Sequence, residues 1–176
     1  MSGKQRFAVF GHPIAHSLSP RLHAVFAAQC GLHVEYAAIA APPERFDEIV
    51  QAFFAGGGRG ANVTLPDKRL AFELADKHTE AAQRAGVANV LTRQPDGVIE
   101  AHNTDGAGLV RDLRERHRIE LNHRRVLLLG AGGAARAVAF ALLDAGVRET
   151  VLANRTLERA RELADTLSEP ERIRIS

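Results

Sequence analysis

The chain has no tryptophan and only one tyrosine, one methionine and one cysteine among its 176 residues. A lone cysteine, Cys30, excludes an internal disulfide and fits a reducing compartment; it has no base beside it in sequence and reads as a small core residue. No apolar run approaches the ~20 residues a membrane-spanning helix needs. The opening MSGKQRFAVFG lacks the long apolar stretch of a secretory leader. Neither sign of charge dominates, with 23 Lys+Arg against 21 Asp+Glu, and arginines interleave with acids in RDLRERHR and ERARELAD. Aromatics are 5% of the chain, and no basic stripe carries interleaved rings, so nucleic acid is not an expected partner. Internal repeats and low-complexity tracts are absent too. The expectation is a cytoplasmic protein with no membrane contact.

What is present is a soluble globular composition, 45% hydrophobic and 25% charged, with room for one large domain or two small ones. FAVF is a short strand ended by Gly11 and Pro13. SLSPRLHAVFAAQCG reads as a helix with Ser19 as N-cap, Pro20 in the first turn and Gly31 as its stop. VEYAAI is a second strand. PPERFDEIVQAFFAGG is a helix with Phe46, Ile49, Val50 and Phe53 at helical spacing, and GANVTL a third strand. Residues 70–85 read as one helix ending at Gly86, and ANVLTRQPDGVIEAHN as a hairpin turning at Asp96-Gly97. From Asn103 onward, GAGLVRDLRERHR is a helix, followed by strand, glycine turn, helix and strand: a βαβ crossover with buried parallel strands. LERARELADTLS is a last helix, and EPERIRIS trails off. The expected boundary separates domains 1–102 and 103–176.

The glycine turn is Gly130-Ala131-Gly132-Gly133-Ala134-Ala135, directly after Val126-Leu127-Leu128-Leu129. This is the GxGxxA form of the dinucleotide fingerprint. Gly130 permits the tight turn, Gly132 lets backbone approach a pyrophosphate, and Ala135 permits close helix–strand packing. The helix that follows offers free N–H groups and its dipole to an anion. An acidic residue at the end of the next strand would hold an NAD ribose. That strand ends instead at Asn154-Arg155-Thr156, and a guanidinium suits a 2′-phosphate, so the expected cofactor is NADP.

Polar residues also gather in the first half. Ser17 and Ser19 stand at the mouth of the first helix, where hydroxyls and free N–H groups suit a carboxylate. In GANVTLPDK, Asn62 and Thr64 alternate with Val63 and Leu65, and Pro66 fixes the backbone before Lys68. Asn89 follows AGVA, and HNTDGAG sets Asn103, Thr104 and Asp105 in one turn, which taken singly is an Asx turn. His12, His16, His23 and His33 lack partners at ligand spacing, so no metal is expected.

The order GHPIAHSLSP, GANVTLPDK, AGVANVL, NTDGAG, GAGGAAR, ANRT closely resembles the shikimate dehydrogenase family, from about residue 7 to residue 156. The resemblance implies an α/β protein: a substrate domain with a mixed sheet, then a partial Rossmann domain, doubly wound and parallel. It implies NADPH-dependent reduction of 3-dehydroshikimate to shikimate, on the route to chorismate and aromatic amino acids, by a monomer or homodimer. Ser17 and Ser19 would hold the substrate carboxylate; Asn62, Thr64, Asn89 and Asp105 would contact ring hydroxyls. Lys68 would be the catalytic lysine, with Asp105 as its partner. Gly130, Ala131, Gly132, Gly133 and Ala134 would bind pyrophosphate, Asn154, Arg155 and Thr156 the ribose phosphate, and Glu80 the cofactor. Three departures stand out. The family carries an aromatic at Asp67, where an acid would either alter Lys68 or face solvent. Val90 replaces a hydroxyl residue next to Asn89. Family members run roughly a hundred residues further, so weak or no turnover is expected of this length. A quinate/shikimate dehydrogenase using NAD and a catalytically silent shikimate-binding module are the alternatives.

Overall fold

A computed structural model describes residues 4–167 and 169–176. Along the chain run β1 (Gln5–Gly11), α1 (Ser19–Gln29), β2 (Val34–Ala40), α2 (Phe46–Ala55) and β3 (Gly58–Val63). Then come α3 (Lys68–Leu74), β4 (Lys77–His78), α4 (Glu80–Ala85), β5 (Val90–Arg93) and β6 (Ile99–His102). α5 (Asp105–Arg111), β7 (Arg125–Leu129), α6 (Gly133–Asp144), β8 (Glu149–Ala153), α7 (Leu157–Thr166) and β9 (Ile173–Ile175) complete the order. The elements form two units. One holds the described residues up to Thr79 with Ala88–His102; the other holds the described residues of Glu80–Val87 and Asn103–Ser176.

The first unit is built on a six-stranded mixed sheet in the order β2-β1-β3-β5-β6-β4. β1 pairs in parallel with β2 and β3, while β5 runs antiparallel to both β3 and β6. One face carries Phe10, fully buried against α2, where Phe46 and Phe53 meet it edge-on at centroid distances of 6.3 and 5.4 Å. Each such side chain contributes about 1.5–3 kcal/mol of apolar burial. α1 covers the other face through Ala27, yet leaves Leu22, Val25 and Phe26 more than half exposed. The Asp96-Gly97 turn closes the hairpin as expected: Gly97 takes φ +92°, and the Gln94 amide donates to the Val98 carbonyl at 2.8 Å.

Four local expectations are corrected here. The helix expected over 70–85 is two helices with β4 between them. Lys77 and His78 pair in parallel with Glu100 and Ala101, the Ile99 amide donates to Asp76 Oδ2 at 2.8 Å, and the His78 ring bonds the Phe72 carbonyl at 2.7 Å. Pairing with a distant strand outweighs local helix preference. Ser19 is not the cap of α1: Leu18 holds that position, and the hydroxyl reaching the opening turn is that of Ser17, which accepts from the Ser19 amide at 3.3 Å. Cys30 is exposed at the end of α1 rather than in the core. The tail EPERIRIS does not trail off, since β9 joins β8 in parallel.

The second unit contains a parallel sheet ordered β7-β8-β9. α6 and α7 pack on it through Ala139, Phe140, Leu143, Ala160 and Leu163, around the fully buried Leu152 of β8. β7 is not buried on both faces as expected; as an edge strand it leaves Leu127 and Leu129 60% and 76% exposed. α4 joins α6 through Arg84, whose guanidinium bonds both oxygens of Asp144 at 2.8 and 2.9 Å and lies over the Phe140 ring. Ser168, the final residue of the expected last helix, and residues 1–3 of the stretch read for a leader lie outside the described residues. Among the described residues no helix is long and apolar enough to cross a membrane.

Candidate functional site

In the first unit, the polar residues collect where the parallel strands end. β3 stops at Val63, whose amide donates to the Asn89 carbonyl at 2.8 Å; the Ala88 amide donates to the Lys68 carbonyl at the same distance. These two backbone bonds hold the segment bearing Thr64 and Lys68 against the one bearing Asn89. The Thr64 amide donates to the Phe10 carbonyl at 2.9 Å, which ties the same segment to β1. Gly11 ends β1, and a Cβ there would lie 2.6 Å from the Thr64 methyl, so the close approach requires glycine. Ser17 and Ser19 form one half-buried turn at the start of α1.

Asn62 behaves differently from its neighbours. Its side chain sits on the sheet face under α1, where Tyr36 donates to Oδ1 at 2.6 Å. The His23 ring stacks on Tyr36 at 4.1 Å with the planes 7° apart. Burial lowers the His23 pKa, partly offset by its hydrogen bond to Asn62, and burial drives the Tyr36 hydroxyl well above its ordinary value. Neither Tyr36 nor His23 is marked as a partner of Asn62 by local sequence. The available signal is that the only tyrosine lies on the strand-alternating face of VEYAAI.

Asp67 does not face solvent. It is 1% exposed, and neither carboxylate oxygen has a hydrogen-bond partner among the described residues. Burial pushes its pKa up, opposed by His12 and reinforced by Glu44.

In the second unit, Asn103 is the buried residue that shapes the NTDG turn. Its Nδ2 donates to the Val87 carbonyl at 2.9 Å, and its Oδ1 accepts from the Asp105 amide at 3.1 Å. Asp105 stands at the start of α5 and Glu80 at the start of α4. The glycine turn leads from β7 into α6. Gly130 has φ +113°, and its amide donates to the Ala153 carbonyl at 2.8 Å, fastening the turn to β8. Gly132 has an extended backbone, and nothing lies within 4 Å of a Cβ added there. The fold itself therefore makes no demand for glycine at 132, whereas a phosphate laid across the helix start would. Ala131 and Ala135 are buried in the core, leaving Gly132, Gly133 and Ala134 around the open N-terminus. Arg155 is exposed just past β8 and has no ion pair among the described residues, while Asn154 holds the loop by donating to the Thr156 carbonyl at 2.7 Å. The turn, the open helix start and the exposed guanidinium fit a phosphorylated dinucleotide.

Residues 9–91 match the family described as "Shikimate dehydrogenase substrate binding domain", and residues 112–176 match "Shikimate / quinate 5-dehydrogenase". The chain belongs to the shikimate dehydrogenase family. It is 57% identical over 168 residues to the shikimate dehydrogenase (NADP(+)) of Xanthomonas campestris pv. campestris strain B100, covering 96% of this chain and 59% of that protein. Among solved structures of similar fold, an Ael1 enzyme from Pseudomonas putida is 46% identical with a TM-score of 0.89, covering 98% of this chain and 63% of that one. The Thermus thermophilus shikimate 5-dehydrogenase, solved in complex with NADP(H) and shikimate, is 39% identical with a TM-score of 0.87, covering 98% and 62%. The chain thus spans about six-tenths of the length of the shikimate dehydrogenases it matches.

Proposed function

We propose that the chain carries the substrate-binding and nucleotide-binding parts of an NADPH-dependent dehydrogenase that reduces 3-dehydroshikimate to shikimate. The observation that carries this is the pair of backbone bonds that hold the Lys68 and Asn89 segments together at the end of β3. Ser17 and Ser19 are assigned to the ligand carboxylate, with Asn62, Thr64, Asn89 and Asp105 assigned to its hydroxyls. Gly130, Ala131, Gly132, Gly133 and Ala134 are assigned to the pyrophosphate, Asn154, Arg155 and Thr156 to the ribose phosphate, and Glu80 to a further cofactor contact. When bound, the nucleotide would supply the hydride. Lys68, as an ammonium, stabilises the oxygen anion that forms at the ketone and delivers a proton to that oxygen. Asp105 is assigned a catalytic role as a second titratable group. The reading includes a chain that works in the cytoplasm as a monomer or homodimer.

Because the chain spans 59% of the relatives' length, binding is the deciding readout. Calorimetric titration with shikimate, NADP⁺ and NAD⁺ should show shikimate binding and a preference for NADP⁺. Absence of shikimate binding would sink the substrate assignment. NAD⁺ affinity equal to or above that of NADP⁺ would replace the cofactor assignment with the NAD one.

A further inference from the structure

Asn62 has a carboxamide that presents an acceptor on one side and two donors on the other, and its direction decides what ligand atom it recognises. Tyr36 Oη donates to Asn62 Oδ1 at 2.6 Å, so the oxygen side of the carboxamide faces Tyr36. The register shows how a strand β2 tyrosine reaches a strand β3 asparagine. Tyr36 pairs with Phe7, and Phe7 with Gly60, so the β3 position in that rank has no side chain. Asn62 is two residues further along the same face. The His23 ring, stacked flat on Tyr36 at 4.1 Å, braces the tyrosine from the side of α1. These groups line a cleft of about 360 Å³ between α1 and the sheet, walled by Phe7, Phe26 and Leu91.

We propose that Tyr36 and His23 are positioning residues that hold the Asn62 oxygen inward, so that Asn62 offers its NH₂ group, and only donors, to the ligand. This rests on the functional reading above and narrows it. The ligand atom at Asn62 is an acceptor, a hydroxyl or carbonyl oxygen of the polyhydroxylated ring acid, and a ligand presenting an ammonium there is rejected. A ring hydroxyl accepting from Asn62 keeps its own proton for a different partner, which fixes the direction of each hydrogen bond around the ring.

The test is calorimetric titration of shikimate into the full chain, into Tyr36→Phe, into Asn62→Ala and into the double variant. Tyr36→Phe keeps the ring and the stack and removes only the hydroxyl. It should lower the unfolding midpoint by no more than one internal hydrogen bond is worth and weaken shikimate binding about tenfold, because the freed amide no longer meets the ligand in the right direction. The double variant should bind no more weakly than Asn62→Ala alone, because Tyr36 acts through Asn62. Undiminished binding by Tyr36→Phe, or losses that add in the double variant, overturns the proposal. If the unmodified chain does not bind shikimate, the functional reading fails, and the lock is read separately from the Asn62 Nδ2 proton resonances. Tyr36→Phe shifts those resonances if the hydroxyl holds the amide; unshifted resonances overturn the lock.

Discussion

Gly106 of α5 rests against the main chain of Ala137 in α6 so closely that the two helices pack backbone to backbone. A Cβ on Gly106 would fall inside the contact radius of the Ala137 carbonyl oxygen and 2.7 Å from the Ala141 methyl. Neither can step aside, since one is backbone and the other a methyl fixed to its helix. Gly106→Ala gains about 1 kcal/mol of helix propensity but overpacks this crossing by about 1–3 kcal/mol or more. The net expected outcome is destabilisation, read as a lower urea midpoint with an unchanged slope. A midpoint equal to or above that of the unmodified chain would show that the helices separate freely.

Asp67 gives a pH signature. Burial raises its folded pKa above the ordinary value of 3.8, so the folded state binds more protons than the unfolded state between the two values. Stability contributed by this residue is greatest in acid and declines as pH climbs from 3.8 through the folded pKa. Asp67→Asn keeps the shape and removes the charge. It should raise stability on the order of 1 kcal/mol at neutral pH, with the gain vanishing near pH 3. Thermal melts of both proteins across that range check it; a gain independent of pH contradicts the buried-charge account.

The contrast between Asp67 and Gly132 explains what could be read from sequence. The glycine turn was legible because its demand is local: Gly130 needs a positive φ, and its neighbours follow within six residues. The phenylalanines of α2 were legible through helical spacing, and the Asp96-Gly97 hairpin through turn chemistry. Most of the failures involve partners distant in sequence; the Ser19 cap is a local exception, where the Ser17 hydroxyl takes the Ser19 amide instead. β4 exists because Glu100 and Ala101 lie alongside it, and β9 because Thr150 and Leu152 do. Asp67 is buried by tertiary packing that no window around PDK contains. Asn62 was named from strand alternation, but its tie to Tyr36 spans 26 residues.

Glu149 clamps the N-terminal ends of the parallel sheet. It is 9% exposed, receives Arg125 of β7 on Oε2 at 2.5 Å, and pairs with Arg174 of β9 through Oε1. Both guanidinium side chains are largely exposed and would rehydrate once the carboxylate is gone, so the loss is smaller than for a fully buried pair. Glu149→Ala should cost about 1–2 kcal/mol, and hydrogen exchange should accelerate most at β9, whose three residues pair with β8 alone among the described strands. Uniform acceleration across β7, β8 and β9 would assign the clamp to global stability instead.

Lys68 is the proposed proton donor, so its removal should separate chemistry from affinity. In Lys68→Ala, shikimate binding should change little, while whatever NADP⁺-linked oxidation of shikimate the chain supports should fall by ~10²–10⁴-fold. Comparable turnover in the variant removes Lys68 from the chemistry and leaves the strand end as a binding surface.

Arg155 tests the choice of nucleotide without depending on turnover. It stands exposed past β8 beside Asn154 and Thr156, and the only chemical difference between the two nucleotides is the 2′-phosphate. A charge-assisted, two-pronged contact to that phosphate is worth about 1.5–3 kcal/mol, which at 1.4 kcal/mol per factor of ten corresponds to roughly 10- to 150-fold in affinity. Arg155→Ala should therefore weaken NADP⁺ by that factor and leave NAD⁺ binding nearly unchanged, so the two affinities converge. Arg155→Lys should recover part of the loss, because an ammonium supplies the charge but not the planar fork. Weakening of both nucleotides to the same degree would place Arg155 on the part they share and return the phosphate preference to other residues.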